Sequence, residues 1–251
     1  MTKAVLITGG AQRIGAAMTR RFGEAGWHVV IHCHRSCEEA DELARNLPSA
    51  EVVRCDLADG DAAVAMVEEI AARLLDWRAL VNNAGIFSED SVTALDPATN
   101  SLSMQVNATT PMLMAQAFLA SARSRAGRRV IQLTDQKMEN PNPDFFSYSM
   151  SKFAVDGAAQ MLAMSTGKDD RVYRLAPGAI LASHDQSHAE AETSHRMNLL
   201  ERRTSAREVA DAALFLAEGP LANGSSLYVD SGQHLLSQPR DVLYLARGED
   251  S

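Results

Sequence analysis

Tyr148 and Lys152 stand four residues apart, a spacing that on a helix puts both side chains on one face about a turn from each other. An ammonium beside a phenol lowers the phenol's pKa and readies its proton. A Tyr-x-x-x-Lys pair alone is also what a solvated helix face with one packed aromatic offers. Asp135 changes the weighing, because it follows the apolar run Val130, Ile131, Leu133 and so should lie at the carboxyl end of a strand just before that helix. Phenol, ammonium and carboxyl at one spot can run the proton side of a hydride transfer.

The elements that must bring these groups together follow from periodicity. Short apolar runs read as strands at 4–8, 28–32, 51–55, 79–83, 129–134, 171–177 and 226–230. Between them, helical spacing covers 13–25, 37–46, 59–74 and 96–124, the last interrupted near Pro111, and then runs to about Met164 and over 205–217, with Ser205 and Glu208 spaced as a capping box. Strands separated by helices of crossover length predict an α/β fold: one domain over 1–251, a doubly wound (Rossmann) seven-stranded parallel sheet with helices on both faces. The polar stretch 180–203 follows the sixth strand. Loops there cover the ligand crevice of an open sheet, so it is expected to be a substrate lid.

At 251 residues and 46% hydrophobic content the chain can bury a large core. Its net charge of -8 argues against a nucleic-acid partner, which needs clustered positive charge. Arg123, Arg125, Arg128 and Arg129 do cluster, and are expected to be a solvated helix end and loop. No apolar segment of transmembrane length is present, and the first residues run straight into a strand rather than a cleavable leader, so no membrane partner is expected. Cys33, Cys37 and Cys55 form an odd set with no disulfide framework, which fits a reducing, cytoplasmic setting.

The stretch Thr8 to Gly15 (TGGAQRIG) places glycines at a strand exit and a helix start, where backbone amides can approach a diphosphate. Gly9, Arg13, Ile14 and Gly15 are its expected cofactor contacts, Arg13 lying where the first helical turn faces a phosphate. After the second strand come His34, Arg35 and Ser36 instead of an acid. An acid would bind the ribose hydroxyls of NAD and repel a 2′-phosphate; an arginine with a hydroxyl does the reverse, so NADPH is expected. Asp56, with Leu57 beside it, is suited to the adenine, while Asn83, Ala84 and Gly85 supply small, close-approach backbone at the next strand end.

Taken together, the glycine loop, Asn82-Asn83-Ala84-Gly85, Asn107, Tyr148 with Lys152, and Ala176-Pro177-Gly178 resemble the short-chain dehydrogenase/reductase superfamily over nearly the whole chain. The resemblance implies that Tyr148 is the acid/base, that Lys152 tunes it and holds the nicotinamide ribose, that Asn107 supports a proton relay, and that Pro177 and Gly178 border the cofactor. It also implies a homotetramer. Most members carry serine on the fifth strand and glycine before the Ile-Gly of the loop; Asp135 and Arg13 stand there instead. With His34 to Ser36, these departures look like the pteridine reductase branch, which includes dihydromonapterin and dihydrofolate reductases. In that branch the aspartate partners the tyrosine, the loop arginine reaches both cofactor phosphate and pterin, and a phenylalanine at the position of Phe87 stacks on the pterin. A pterin or folate is thus the implied substrate, contacted by Arg13, Phe87, Asp135 and Tyr148.

Competing readings are an NADPH-dependent carbonyl or alcohol reductase using Tyr148 alone, and a cofactor-binding regulator without turnover. Histidines at 184, 188 and 195, and the cluster His32, Cys33, His34, Cys37, invite a metal. The first lacks convincingly spaced further ligands and the second would point alternate side chains to opposite faces of a strand, so no metal is expected.

Overall fold

The computed structural model describes residues 2–182 and 186–249. Its strands are β1 (Ala4–Ile7), β2 (His28–Cys33), β3 (Ala50–Arg54), β4 (Trp77–Asn82), β5 (Arg129–Leu133), β6 (Arg171–Pro177) and β7 (Ser226–Val229). All pair in parallel as one sheet of order β3-β2-β1-β4-β5-β6-β7. The described helices are α1 (Arg13–Glu24), α2 (Cys37–Arg45), α3 (Gly60–Arg73), α4 (Pro97–Met104), α5 (Thr110–Ser121), α6 (Phe146–Ser165), α7 (His188–Ser194), α8 (Ala206–Glu218) and α9 (Val242–Ala246).

Parallel strands covered on both faces are apolar throughout, and alternate residues divide between two cores. Val5, Ile7, Val29 and Ile31 pack with residues of α1, α2 and α8, whereas Leu6, Val30 and Leu80 pack with α3, α5 and α6. Each fully buried aliphatic side chain contributes about 1.5–3 kcal/mol, which makes the sheet a rigid floor. The chain winds outward from β1 to β3, returns to β4 beside β1, and then winds the other way. The carboxyl ends of β1 and β4 therefore open a crevice at the point where the winding reverses.

The long helix expected over 96–124 is broken into α4 and α5 by a π-helical turn, Gln105–Thr109. Pro111 has no N–H to give the carbonyl four residues back, that of Asn107, and its ring crowds that oxygen, so the turn widens. Within the expected lid, α7 has a capping box between Ser187 and Glu190, and it packs against the C-terminal α9. Positions 183–185 of that stretch, including His184, lie outside the described residues.

Two expectations are corrected. Cys33 and Cys37 are joined by a disulfide: the sharp turn from β2 into α2 brings their Cα atoms to 5.4 Å, within disulfide reach, leaving only Cys55 as a free thiol. The arginine cluster is not a solvated helix end throughout. Arg128 makes paired bonds to Asp170, and the buried Arg129 donates to the Asp169 carbonyl, which ties the start of β5 to the start of β6. Among the described residues no helix is long and apolar enough to cross a membrane, and no group of His, Cys, Asp and Glu could hold a metal ion.

Candidate active site

β5 ends at Leu133, and two residues later Asp135 leaves the sheet edge as the cap of a short 3-10 turn, its Oδ1 accepting from the Lys137 amide at 2.9 Å. The other carboxyl oxygen, Oδ2, accepts from the Tyr148 hydroxyl at 2.6 Å. Tyr148 is held there because α6 starts abruptly: Phe145 precedes it with φ +51°, and Asp90, from the segment after β4, accepts from the Ser147 amide at 2.9 Å. One turn further along, the buried Lys152 donates to the Leu133 carbonyl at 2.8 Å, with Nζ 5.5 Å from the Tyr148 ring centroid. Carboxyl, phenol and ammonium thus meet at the carboxyl end of β5.

Their electrostatics differ from the simple expectation. The phenol is not lowered by its lysine neighbour; burial first, then the charge of Asp135 and the bond to it, push Tyr148 well above the ordinary tyrosine value. Burial also brings the Lys152 ammonium down to about 8, partly opposed by Asp135. With its ammonium turned to a main-chain carbonyl, Lys152 leaves Asp135 as the group that orients the phenol. At neutral pH the Tyr148 hydroxyl therefore keeps its proton.

Asn107, delivered by the π-helical turn, is buried. Its amide donates to the Ile86 carbonyl and to Ser151 Oγ, each at 3.0 Å, and its oxygen accepts from the Ile86 amide at 2.8 Å. It thereby fastens the exit of β4 to α6. Phe87, next along, is 43% exposed; one side of its ring stacks on Phe145 at 4.0 Å, and Tyr148 meets it edge-on at 4.7 Å.

The glycine loop lies across the cleft. Gly9 takes φ +60°, and a Cβ on Gly15 would stand 2.0 Å from the Gly9 carbonyl, so no larger residue fits there. Thr8 Oγ1 accepts from the amides of Asn83 and Ala84, both at 2.9 Å, which locks the loop to the end of β4. His32 supports it from beneath: the Gly9 amide donates to Nδ1 at 3.1 Å, while Nε2 lies 3.1 Å from the Cys55 carbonyl. Burial lowers this histidine to about 4 and keeps it neutral. Arg13, at the loop's end with φ +53°, donates to the carbonyls of Ala182 and Leu181 at 3.0 and 3.3 Å, gripping the chain after β6.

A cleft of about 560 Å³ joins these parts, lined among others by Gly9, Arg13, Ile14 and Gly15 of the loop, by Asn83, Ala84 and Gly85, and by Pro177 and Gly178. Phe87, Asp135, Tyr148 and Lys152 also face it. His34, Arg35, Ser36, Asp56 and Leu57 lie outside it, on the loops after β2 and β3, where His34 Nε2 is 3.7 Å from Asp56 Oδ2. Asn107 stands behind the wall.

Several lining residues were not expected. Lys137 and Asp241 pair at 2.5 Å with both side chains nearly buried, and Val242 and Leu243 of α9 complete that wall. Asp241 caps α9 through the Leu243 amide, and an acid ahead of an apolar run was the signal available. His195 and Gln186, from within the 180–203 stretch, line another side. Gln233 fixes the β6 exit by accepting from the Ala179 amide at 2.9 Å.

Residues 3–193 match the short chain dehydrogenase family. A dihydromonapterin reductase of Escherichia coli strain 536 is 27% identical over 236 residues, covering 92% of this chain and 96% of its own. Among solved structures, FolM alternative dihydrofolate reductase 1 from Brucella canis, complexed with NADP, superposes with a TM-score of 0.87 at 33% identity over 93% of this chain and 94% of that one. The angucycline C-6 ketoreductase LanV with bound NADP is similar at a TM-score of 0.84 and 26% identity, over 93% of this chain and 96% of its own.

Proposed function

The chain belongs to the short chain dehydrogenase family, and from that premise we propose that this NADPH-dependent reductase acts on a C=N bond of a dihydropteridine such as dihydromonapterin, dihydrobiopterin or dihydrofolate, giving the tetrahydro form. The observation that carries the reading is the 2.6 Å bond from the Tyr148 hydroxyl to Asp135, beside the exposed face of Phe87. Similarity to a dihydromonapterin reductase and to FolM supports it.

The residues present fit NADPH. A Cβ on Gly15 would collide with the Gly9 carbonyl, and α1, with Gln12 at its cap position, has no side-chain cap bond and no acid in its first turn, leaving its first amides open to a diphosphate. Gly9, Arg13, Ile14 and Gly15 would hold the diphosphate, His34, Arg35 and Ser36 the 2′-phosphate, and Asp56 and Leu57 the adenine. Asn83, Ala84, Gly85, Pro177 and Gly178 would border the nicotinamide half, with Tyr148 and Lys152 on its ribose. When bound, the cofactor supplies the hydride.

The chain's own residues supply position and proton. Phe87 offers a flat apolar face for a pteridine ring. Tyr148, kept protonated by burial and by Asp135, gives its Oη proton to the substrate's ring nitrogen as carbon takes the hydride. Asp135 Oδ2 aims that proton, and the tyrosinate left behind regains one taken up from water by way of the Asp135 carboxylate. The 180–203 stretch serves as the substrate lid, held at its base by Arg13. The assembly is a homotetramer in the cytoplasm, and the outer face of α6 contributes to it.

NADPH oxidation measured against dihydropteridines and dihydrofolate, for wild type and Asp135→Ser, tests the reading. The variant should lose about 100-fold or more in pterin turnover while retaining NADPH affinity. Unchanged pterin turnover removes the role given to Asp135. Turnover of ketones but of no dihydropteridine by the wild type selects a carbonyl reductase, the activity named for LanV.

A further inference from the structure

Cys33 and Cys37 stand at the two ends of the His34-Arg35-Ser36 turn, and the reduction chemistry uses neither. Cys33, the last residue of β2, is 2% exposed, whereas Cys37, the first residue of α2, is half-buried. The bond between them closes the turn into a ring. Ser36 occupies the cap position of the nine-residue α2, yet its hydroxyl makes no capping bond, so hydroxyl and first-turn amides are both available to an anion. Arg35 between them is exposed. Glu38 and Glu39 on the first turn of α2 oppose an anion, and Gln12 draws Glu39 aside at 2.9 Å. With charges of both signs so close, the turn's geometry decides which sign a ligand meets.

We propose that Cys33–Cys37 is a redox-modifiable site that sets affinity for the 2′-phosphate of NADPH. The disulfide form holds Arg35 and Ser36 in the phosphate-binding turn. The dithiol form releases the start of α2 from β2, and the preference for NADPH over NADH falls. The inference rests on the assignment of NADPH to this turn.

Opening starts at Cys37 Sγ, the more accessible sulfur. A thiolate of a dithiol reductant attacks it, the Sγ–Sγ bond breaks, and Cys33 leaves as a thiolate that takes a proton. The reductant's second thiol then displaces Cys37, which takes the second proton. Two electrons pass to the protein, and the dithiol becomes a cyclic disulfide. Cys55 stays outside this exchange, since it is buried and burial pushes its thiol up.

The full chain, equilibrated in dithiothreitol redox buffers, should show one alkylatable thiol when denatured from the oxidised form and three from the reduced form. NADPH should bind roughly tenfold more weakly to the reduced form, with NADH binding unchanged. By reciprocity, saturating NADPH should lower the midpoint potential of the pair by about 30 mV for that tenfold difference, and NADH should leave it in place. Cys37→Ser should bind NADPH like the reduced form in every buffer, and a Cys33→Ala/Cys37→Ala double variant should do the same. Three thiols in the oxidised form, or equal NADPH affinity in both forms, overturns the inference while leaving the reductase reading intact. Failure of NADPH to bind either form overturns both.

Discussion

A buried histidine shows how closely the cofactor loop depends on single protonation states. His32 holds the Gly9 amide only as a neutral ring with Nδ1 accepting, and its folded-state value of about 4 lies below the ordinary 6.5. Above 6.5 both folded and unfolded chains carry it neutral, and its stabilising contribution is fully present. As pH falls from 6.5 toward 4 the unfolded chain takes up the proton first, so stability declines by about 3 kcal/mol across that window. Urea unfolding at several pH values should show this decline reduced by about that amount in His32→Gln, which keeps an acceptor without titrating. A decline equal to wild type would mean that other groups carry it. Neighbouring residues differ in how legible they were. Tyr148, Lys152 and Asp135 announce themselves by type and spacing, because one helix turn and one strand end suffice to bring them together. His32 gives no such sign, since its partners, Gly9 and Cys55, meet it only through the register of three strands.

At the scale of elements, periodic segments were readable and short ones were not. The strands and the helices that pack on them follow from apolar spacing, and Pro111 marked the break in the long helix. The widened turn that presents Asn107 could not be foreseen, because spacing gives the position of a break and not its hydrogen bonding. α9 is too short for a periodic signal, yet it walls the cleft through Asp241 and Lys137. Because that pair is almost fully enclosed, removing one partner leaves a buried charge. Asp241→Asn, which preserves the helix cap, should cost about 3 kcal/mol in denaturant unfolding, and adding Lys137→Met should recover most of it. A single variant as stable as wild type would show the pair to be solvated.

For the whole molecule, a doubly wound parallel sheet was implied by alternating strands and helices, whereas its strand order and its surface were not. Met150, Phe153, Met161 and Met164, spaced three, eight and three residues apart, share the outer face of α6 and are 38%, 44%, 67% and 88% exposed. Such a stripe on a helix whose other face carries Tyr148 and Lys152 suits subunit contact. Light scattering should find the wild type as a tetramer and Phe153→Glu/Met161→Glu as smaller species with the fold retained by circular dichroism. A monomeric wild type would remove α6 as an assembly face.

Arg13 is claimed twice. Its guanidinium already satisfies two carbonyls of the chain after β6, at 3.0 and 3.3 Å, and the loop that carries it is also where a diphosphate would lie. A phosphate offers this cation bonds about twice as strong as neutral carbonyls do. A diphosphate bound there would compete with the two carbonyls for the guanidinium, so occupancy at one end of the cleft and the hold on the chain at the other would be coupled through one side chain.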